Sequence, residues 1–363
     1  MPVLYLHIGT HKTGSTSIQT ALVESSEHLK SKSYVYLHLP FELNSKLMSA
    51  EKLDSSLVVR FGEQLKLALG QKGGIREQCK YILSFEGFSG NPDSGFLNTS
   101  IVSEMLRDTT RNFHVKVIVY LRRQDDFVES MYTQGIHQGE SFSFEEYLGG
   151  FNHPNALNYT RILDSYAMHF GKENMIVRGY EMACRGDGLV KDFCNAVGID
   201  ALPYEKLSHN RNPSYSRVAL EIARATNPKL DGEQKKKLRS ILQSSSAKDR
   251  GEPFKFFSSS ERKDFLARFS ESNEQISRQY LNSDSGRLFP KPADVDTEYQ
   301  FKGILPEEVA PILVHILSQE LPVVHPHGNP DMSRASGLIL RRLLSKFPRV
   351  ESIVKRAINV VRS

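Results

Sequence analysis

The run Val3-Leu4-Tyr5-Leu6-His7-Ile8 leads straight into Gly9-Thr10-His11-Lys12-Thr13-Gly14-Ser15-Thr16-Ser17, and these into Ile18-Gln19-Thr20-Ala21-Leu22. A β-rich apolar run therefore ends in small, hydroxylated residues and one lysine, followed by a helix-like pattern. A strand, tight loop and helix in this order build an anion cradle. The helix start leaves backbone N–H groups without partners, and its dipole favours negative charge. Gly14 allows close backbone approach. Lys12 adds a full positive charge, and the Ser and Thr hydroxyls add donors. The most economical ligand is a phosphate or a phosphate-like group.

The nucleoside-triphosphate loop G-x-x-x-x-G-K-[ST] carries its lysine after the second glycine. Here Lys12 lies two residues before Gly14, so the match is poor. The order Lys12-Thr13-Gly14-Ser15-Thr16 instead resembles the 5′-phosphosulfate loop of the sulfotransferase family, whose donor is 3′-phosphoadenosine 5′-phosphosulfate. His11 stands where that family frequently has proline. The resemblance implies that Lys12 contacts the bridging oxygen next to sulfur. It implies that Thr13, Gly14, Ser15 and Thr16 hold the 5′-phosphate, with His11 and Ser17 completing the donor-binding loop. The plain alternative is a Ser/Thr-rich helix start with a solvated lysine.

Val115-Lys116-Val117-Ile118-Val119-Tyr120-Leu121 reads as a buried strand that ends in Arg122-Arg123. A kinase or ATPase needs an aspartate for Mg²⁺ at such a place; this strand ends in positive charge. Ser130 follows on an expected helix from about Asp125. Sulfotransferases are similar here, and the resemblance implies that an arginine and Ser130 bind the donor's 3′-phosphate. A guanidinium suits bidentate phosphate contact. Arg122-Arg123-Gln124 replaces the family's usual Arg-Asp-Pro, which leaves both arginines as candidates; the spacing favours Arg122.

A third strand, Tyr81-Ile82-Leu83-Ser84-Phe85, ends at Glu86. Ser84-Phe85-Glu86 resembles a Ser-x-Glu found in bacterial sulfotransferase-like chains. The resemblance implies that Glu86 deprotonates an acceptor hydroxyl, as in carbohydrate sulfotransferases. His7 and His11 are rival bases. His7 alternates along its strand as a packed residue would, and His11 in the loop is the stronger rival. Gly9, Glu86 and Arg122 all fall at strand carboxyl ends, where open α/β sheets bind ligands.

The rest of the chain sets bounds. Strand-like runs at 34–37 and 175–180 join those above, and helical patterns alternate with them at 14–30, 44–69, 101–112, 125–134, 142–148, 159–170 and 189–197. This predicts an α/β, P-loop-like, three-layer fold with a central parallel sheet flanked by helices. Further helices are expected at 215–225 and 259–281, and a helical C-terminal extension beyond. The expected organisation is an α/β domain over 1–290, a Pro-rich connection over 291–330 and a basic amphipathic helix over 331–363. Three cysteines give no disulfide framework and fit a reducing compartment. His315, His325 and His327 lack a metal-ligand pattern, and sulfuryl transfer in this scheme requires no metal.

The chain opens on its first strand, and no apolar run reaches the ~18 residues of a membrane span. The expectation is therefore a cytoplasmic enzyme, with peripheral contact at the inner face of the membrane if the basic C-terminal helix lies on anionic lipid. The competing reading packs that helix on the core. From Arg334 to Ser363 there are eight Lys/Arg and one Glu against a net charge of +5 for the whole chain, so the basic character belongs to this tail. It gives no case for nucleic acid. His209-Asn210-Arg211-Asn212-Pro213-Ser214 precedes a helix and reads either as a helix start or as a segment closing over the donor with Arg211. The sequence-level function is transfer of a sulfuryl group to an acceptor hydroxyl on a carbohydrate or glycolipid. The alternatives are a P-loop small-molecule kinase and a non-catalytic nucleotide-binding membrane adaptor.

Overall fold

The computed structural model describes residues 1–290 except 41, 53, 154, 201, 204–214, 249–253 and 282–286, together with positions 309 and 312. Elements follow in chain order: β1 (Val3–His7), α1 (Ser15–Glu24), α2 (Ser26–Ser31), β2 (Tyr34–Leu37), α3 (Glu42–Met48), α4 (Ser55–Gln71) and β3 (Lys80–Ser84). A 3-10 turn (Glu86–Ser89) precedes α5 (Thr99–Thr109), β4 (His114–Leu121), α6 (Gln124–Gln138), α7 (Phe144–Gly149) and α8 (Tyr159–Phe170). Then come β5 (Met175–Gly179), α9 (Tyr180–Arg185), α10 (Leu189–Val197), α11 (Arg217–Thr226), α12 (Gly232–Lys248), α13 (Ser259–Ala267) and α14 (Ser270–Tyr280).

The sheet has five parallel strands in the order β2-β3-β1-β4-β5. Its strands are short apolar runs buried on both faces, as all-parallel sheets require. Tyr5, Ile82, Ile118 and Tyr120 point to one face, where Ile18, Leu22, Phe193 and Val197 of α1 and α10 cover them. The alternate residues Leu4, Leu6, Leu83, Val117 and Val119 are fully buried on the other. Against the sheet also pack α4 on β2 and α8 on β4 and β5. From β1 the chain goes to one side for β2 and β3, then crosses to the other for β4 and β5. The connections diverge at the carboxyl end of β1, which is where such a sheet opens a crevice.

The expected α/β architecture is the observed one, and each expected strand lies within a residue of its place. The helices are more broken than periodicity predicts. The run expected over 14–30 is interrupted at Ser25 (φ −100°, ψ 18°), where consecutive serines are poor helix formers. That expected over 44–69 breaks before Asp54, whose carboxylate caps α4 by accepting from the Ser56 N–H at 2.9 Å. The run 259–281 breaks at Phe269, which turns into the core at 4% exposure. The boundaries expected at 290 and 330, the C-terminal helix and the Arg211 segment lie outside the described residues.

The chain divides into two compact units. The first (1–130, 145–209 and 257–298) contains the sheet. The second (131–144, 210–256 and 299–363) includes α11 and α12. In it Tyr132 gathers Phe142, Phe144 and Phe256 by ring contacts of 4.8–5.9 Å. There Asn227 also donates to the carbonyls of Ile136 and Glu140 at 2.9 and 2.7 Å. Among the described residues no helix is long and apolar enough to cross a membrane.

One buried ionic network belongs to the first unit. Asp125, fully buried, accepts from Arg123 Nε at 2.6 Å and from Arg262, while Arg262 also donates to Glu129 at 2.9 Å. Burial alone raises the Asp125 pKa, but the two arginines outweigh it and hold the carboxyl below its usual range. Asp125→Ala strands both guanidinium groups. It should cost about 3–5 kcal/mol in chemical denaturation at neutral pH. The gap should shrink as pH falls through the depressed carboxyl pKa, because the stabilisation is present above the unfolded value and lost in acid. Removing the exposed Lys236–Glu233 pair should change stability by no more than about 1 kcal/mol.

Candidate active site

The loop between β1 and α1 is held from both ends. The Ile8 N–H donates to the Ile118 carbonyl at 3.0 Å, and the buried Thr10 hydroxyl donates to the Tyr120 carbonyl at 2.5 Å. The loop thus hangs on β4. Lys12 (φ 64°) and Gly14 (φ 72°) both adopt the left-handed region, with Thr13 between them outside it. Backbone of alternating hand turns successive N–H groups to one side and forms an anion-binding concavity. A non-glycine residue in this region stores of order 1–3 kcal/mol of strain. A Cβ on Gly14 would meet Leu189 Cδ2 at 2.3 Å, so α10 presses directly on the turn.

The hydroxyls divide into two groups. Thr13 Oγ1 donates to the Thr10 carbonyl at 2.5 Å and is spent inside the loop. Ser15 is buried beneath it, its hydroxyl without a partner among the described residues. Thr16 is exposed and Ser17 half-buried at the helix start. Thr13 and Ser15 can thus serve an anion through their backbone N–H groups, whereas Thr16 faces solvent with its side chain.

The structure separates the two arginines after β4. Arg123 is consumed internally: it pairs with Asp125 and Asp126, and its N–H donates to Glu181 Oε1 at 3.0 Å. Arg122 turns the other way. Its Nη1 donates to the Lys12 carbonyl at 2.9 Å, and its guanidinium lies 5.3 Å from the Tyr180 ring centroid. Arg122 Nε is buried without a partner among the described residues. The Tyr159 hydroxyl fixes the Arg122 carbonyl at 2.7 Å. Ser130 is half-buried on α6, six residues, or about 9 Å of helix, beyond Gln124.

Glu86 begins the 3-10 turn instead of extending β3, and it is half-buried. Burial raises its pKa, and the nearby Lys12 ammonium opposes this without cancelling it. A carboxylate shifted towards neutrality next to a lysine is suited to accept a proton. The two histidines differ from it. His7 is fully buried, with Nδ1 2.7 Å from Ser84 Oγ, and burial drops its pKa to about 3. It ties β1 to the strand that leads to Glu86, and Gln19 Nε2 adds a 3.3 Å contact to the Ser84 carbonyl. His11 packs beside Phe96, with its pKa pushed to about 4 by burial and then by Lys12. Both its ring nitrogens lack partners among the described residues.

The structure therefore brings Lys12, Gly14 and Arg122 together, and places Glu86 within reach of the Lys12 charge. Tyr180, Glu181 and Leu189 were missed in the sequence. The Tyr180 ring approaches both Arg122 and the Gly14 position, at 3.6 Å from an ideal Cβ. In the sequence it closes the strand-like run 175–180, where no motif marks it. Among the described residues no group of three His, Cys, Asp or Glu side chains is arranged to hold a metal ion.

No family model matches the chain. Over 192 residues it is 29% identical to an uncharacterized protein of Archaeoglobus fulgidus, covering 52% of this chain. The chain spans about half (52%) of the length of that curated relative. Among solved structures it is similar to a sulfotransferase from Alicyclobacillus acidocaldarius at a TM-score of 0.37 and 18% identity, over 58% of this chain and 87% of that one. It is similar to a mouse sulfotransferase complexed with PAP at 0.36 and 14%, over 78% and 87%. A retinol dehydratase in complex with androsterone and PAP gives 0.29 and 14%, over 78% and 81%. Similarities of this size leave function to the residues of the site.

The raised Glu86 pKa has a thermodynamic consequence. Stability linked to this group is fully present below the unfolded carboxyl pKa and is lost as pH rises through the higher folded value. Glu86→Gln removes that loss. The variant's melting temperature should match wild type near pH 4 and exceed it at pH 8, as read by differential scanning calorimetry.

Proposed function

We propose that the chain is a sulfotransferase that moves a sulfuryl group from 3′-phosphoadenosine 5′-phosphosulfate to an acceptor hydroxyl, on a carbohydrate or glycolipid. The observation that carries the reading is the hydrogen bond from Arg122 to the Lys12 carbonyl. It puts a strand-end arginine with an unpartnered Nε beside a left-handed N–H cradle and a lysine. A nucleotide bearing two separate phosphoryl groups answers both features. The basic end of β4 also weighs against a kinase, which needs an acidic residue there for Mg²⁺; Asp125 and Asp126, further on, are engaged by Arg123.

In this scheme the 5′-phosphate is held by the N–H groups from Thr13 to Thr16, and the 3′-phosphate by Arg122 with Ser130. Glu86 takes the proton of the acceptor hydroxyl, whose oxygen forms the new bond to sulfur. The bond between sulfur and the bridging phosphate oxygen breaks, and its electron pair stays on that oxygen. Lys12 stabilises the charge that develops there. Such transfer relies on positioning and electrostatics more than on covalent chemistry from the protein. His11, neutral at physiological pH, is left to pack and to hydrogen-bond. The carbohydrate assignment draws on the choice of a carboxylate as base.

Two variants test these roles. Arg122→Ala should weaken adenosine 3′,5′-bisphosphate by about 10- to 100-fold more than it weakens adenosine 5′-monophosphate in calorimetric titration, because the monophosphate loses only the support of the Lys12 carbonyl and not a charge-assisted contact. Glu86→Gln should lower turnover by about 10²–10⁴ while keeping bisphosphate affinity. The decisive measurement is transfer of radiolabelled sulfate from the donor to a glycan panel. Stabilisation by ATP–Mg²⁺ and not by the bisphosphate would reverse the choice between sulfotransferase and kinase. Bisphosphate binding with no transfer to any acceptor would favour a non-catalytic adaptor.

A further inference from the structure

The face of the sheet that α1 covers is apolar until its carboxyl end. Tyr5 and Ile82 pack there, and the same face continues two residues on with His7 and Ser84. These two are buried and in register, as the last residues of β1 and β3. His7 Nδ1 lies 2.7 Å from Ser84 Oγ. Gln19 reaches the same side chain from α1, its Nε2 3.3 Å from the Ser84 carbonyl and 3.3 Å from Ser84 Oγ. An amide nitrogen only donates, so Oγ accepts from Gln19 and its own proton goes to His7 Nδ1. The His7 ring packs against Tyr120 and Phe193, at centroid distances of 5.8 and 5.5 Å. Burial lowers its pKa to about 3, so it stays neutral at physiological pH and is no base.

Apolar side chains would fill this place without the cost of burying polar groups. The use of three polar ones follows from what they are attached to. His7 ends β1, five residues before Lys12. Gln19 stands in the second turn of α1, directly above the Ser15 and Thr16 that open the helix. Ser84 ends β3, two residues before Glu86. The anion loop itself hangs on β4, through Ile8 and Thr10. Glu86 belongs to β3, on the other side of β1. The Phe85 N–H still donates to the His7 carbonyl at 3.2 Å, and the chain then leaves the sheet in the 3-10 turn. Apolar packing of α1 on the sheet is non-directional and does not by itself fix the helix along the strands. Hydrogen bonds from a helix and a strand to one buried side chain do fix it.

We propose that His7 and Gln19 are positioning residues that act through Ser84 to hold Glu86 at its working separation from the anion loop. The proposal rests on the sulfotransferase reading for what Glu86 does, and on the contacts at Ser84 for where Glu86 is held. Neither His7 nor Gln19 exchanges a proton in the reaction. When these contacts are removed, Glu86 moves towards solvent while the anion loop stays on β4.

The test compares His7→Leu, Ser84→Ala and the double variant with wild type, all as the full chain. On the glycan that wild type sulfates best, each should lower kcat by about 10- to 100-fold, the effect of a misplaced reacting group. Affinity for adenosine 3′,5′-bisphosphate should stay within about twofold, because only interactions of the transition state are lost. The double variant should lose no more than the worse single one, since both delete the same contact. His7→Asn, whose amide reaches the position of Nδ1, should recover part of the loss. Wild-type kcat in Ser84→Ala, additive losses, or bisphosphate affinity falling in step with kcat overturns the proposal. Ser84→Ala removes a single oxygen and keeps the test decisive if His7→Leu does not fold. A second readout needs no turnover: carbon-13 NMR titration of the Glu86 carboxyl, assigned with Glu86→Gln. Burial outweighs the Lys12 charge at Glu86, so exposure in Ser84→Ala should lower its pKa by about half a pH unit or more. An unchanged titration overturns the proposal. If wild type neither binds the bisphosphate nor sulfates any glycan, the sulfotransferase reading fails, and the Glu86 titration still decides whether Ser84 holds the carboxylate in place.

Discussion

The contact between the Arg122 guanidinium and the Lys12 carbonyl organises the loop between β1 and α1. Lys12 lies in left-handed backbone, a conformation that an isolated chain abandons. The arginine holds its carbonyl in place, and in doing so positions itself. Thr10 on the Tyr120 carbonyl and Leu189 against Gly14 restrain the same turn from two other elements. None of these restraints is local in sequence. The cradle is a product of the parallel sheet, which brings the ends of β1 and β4 side by side.

Around this contact the charges are arranged by partner. Arg123 and Arg262 are neutralised by Asp125 and Glu129 and act as internal cement. Arg122 instead donates to the Lys12 carbonyl and lies against the Tyr180 ring, with the Glu181 carboxyl near enough to feel its charge. Lys12 and Glu86 occupy an intermediate state: each feels the other, yet burial still lifts the Glu86 pKa.

The sheet was legible in the sequence because every strand is a short apolar run bounded by polar or glycine residues, as at Lys80–Ser84 followed by Glu86-Gly87. The loop after β1 was legible for the same reason, since its glycine and hydroxylated residues interrupt that pattern at once. What periodicity could not reveal were breaks that tertiary contacts impose, such as Phe269 leaving its helix for the core. Spacing favoured Arg122 over Arg123 without giving the physical reason. That choice depends on Asp125, two residues further on, which claims Arg123 only after the helix has turned it back. Tyr180 was hidden by position. Its contacts are with residues 58 and 166 places earlier, Arg122 and Gly14, and a linear scan assigns such a tyrosine to packing.

Tyr180 also orders the events of synthesis. Its ring lies against both halves of the anion site, yet it leaves the ribosome after every other residue that shapes them except Leu189. A nascent chain that has completed β4 already possesses the glycine turn and the arginine, but lacks the wall that supports them. The Gly14 turn thus gains its outer packing only where α9 and α10 lie against it.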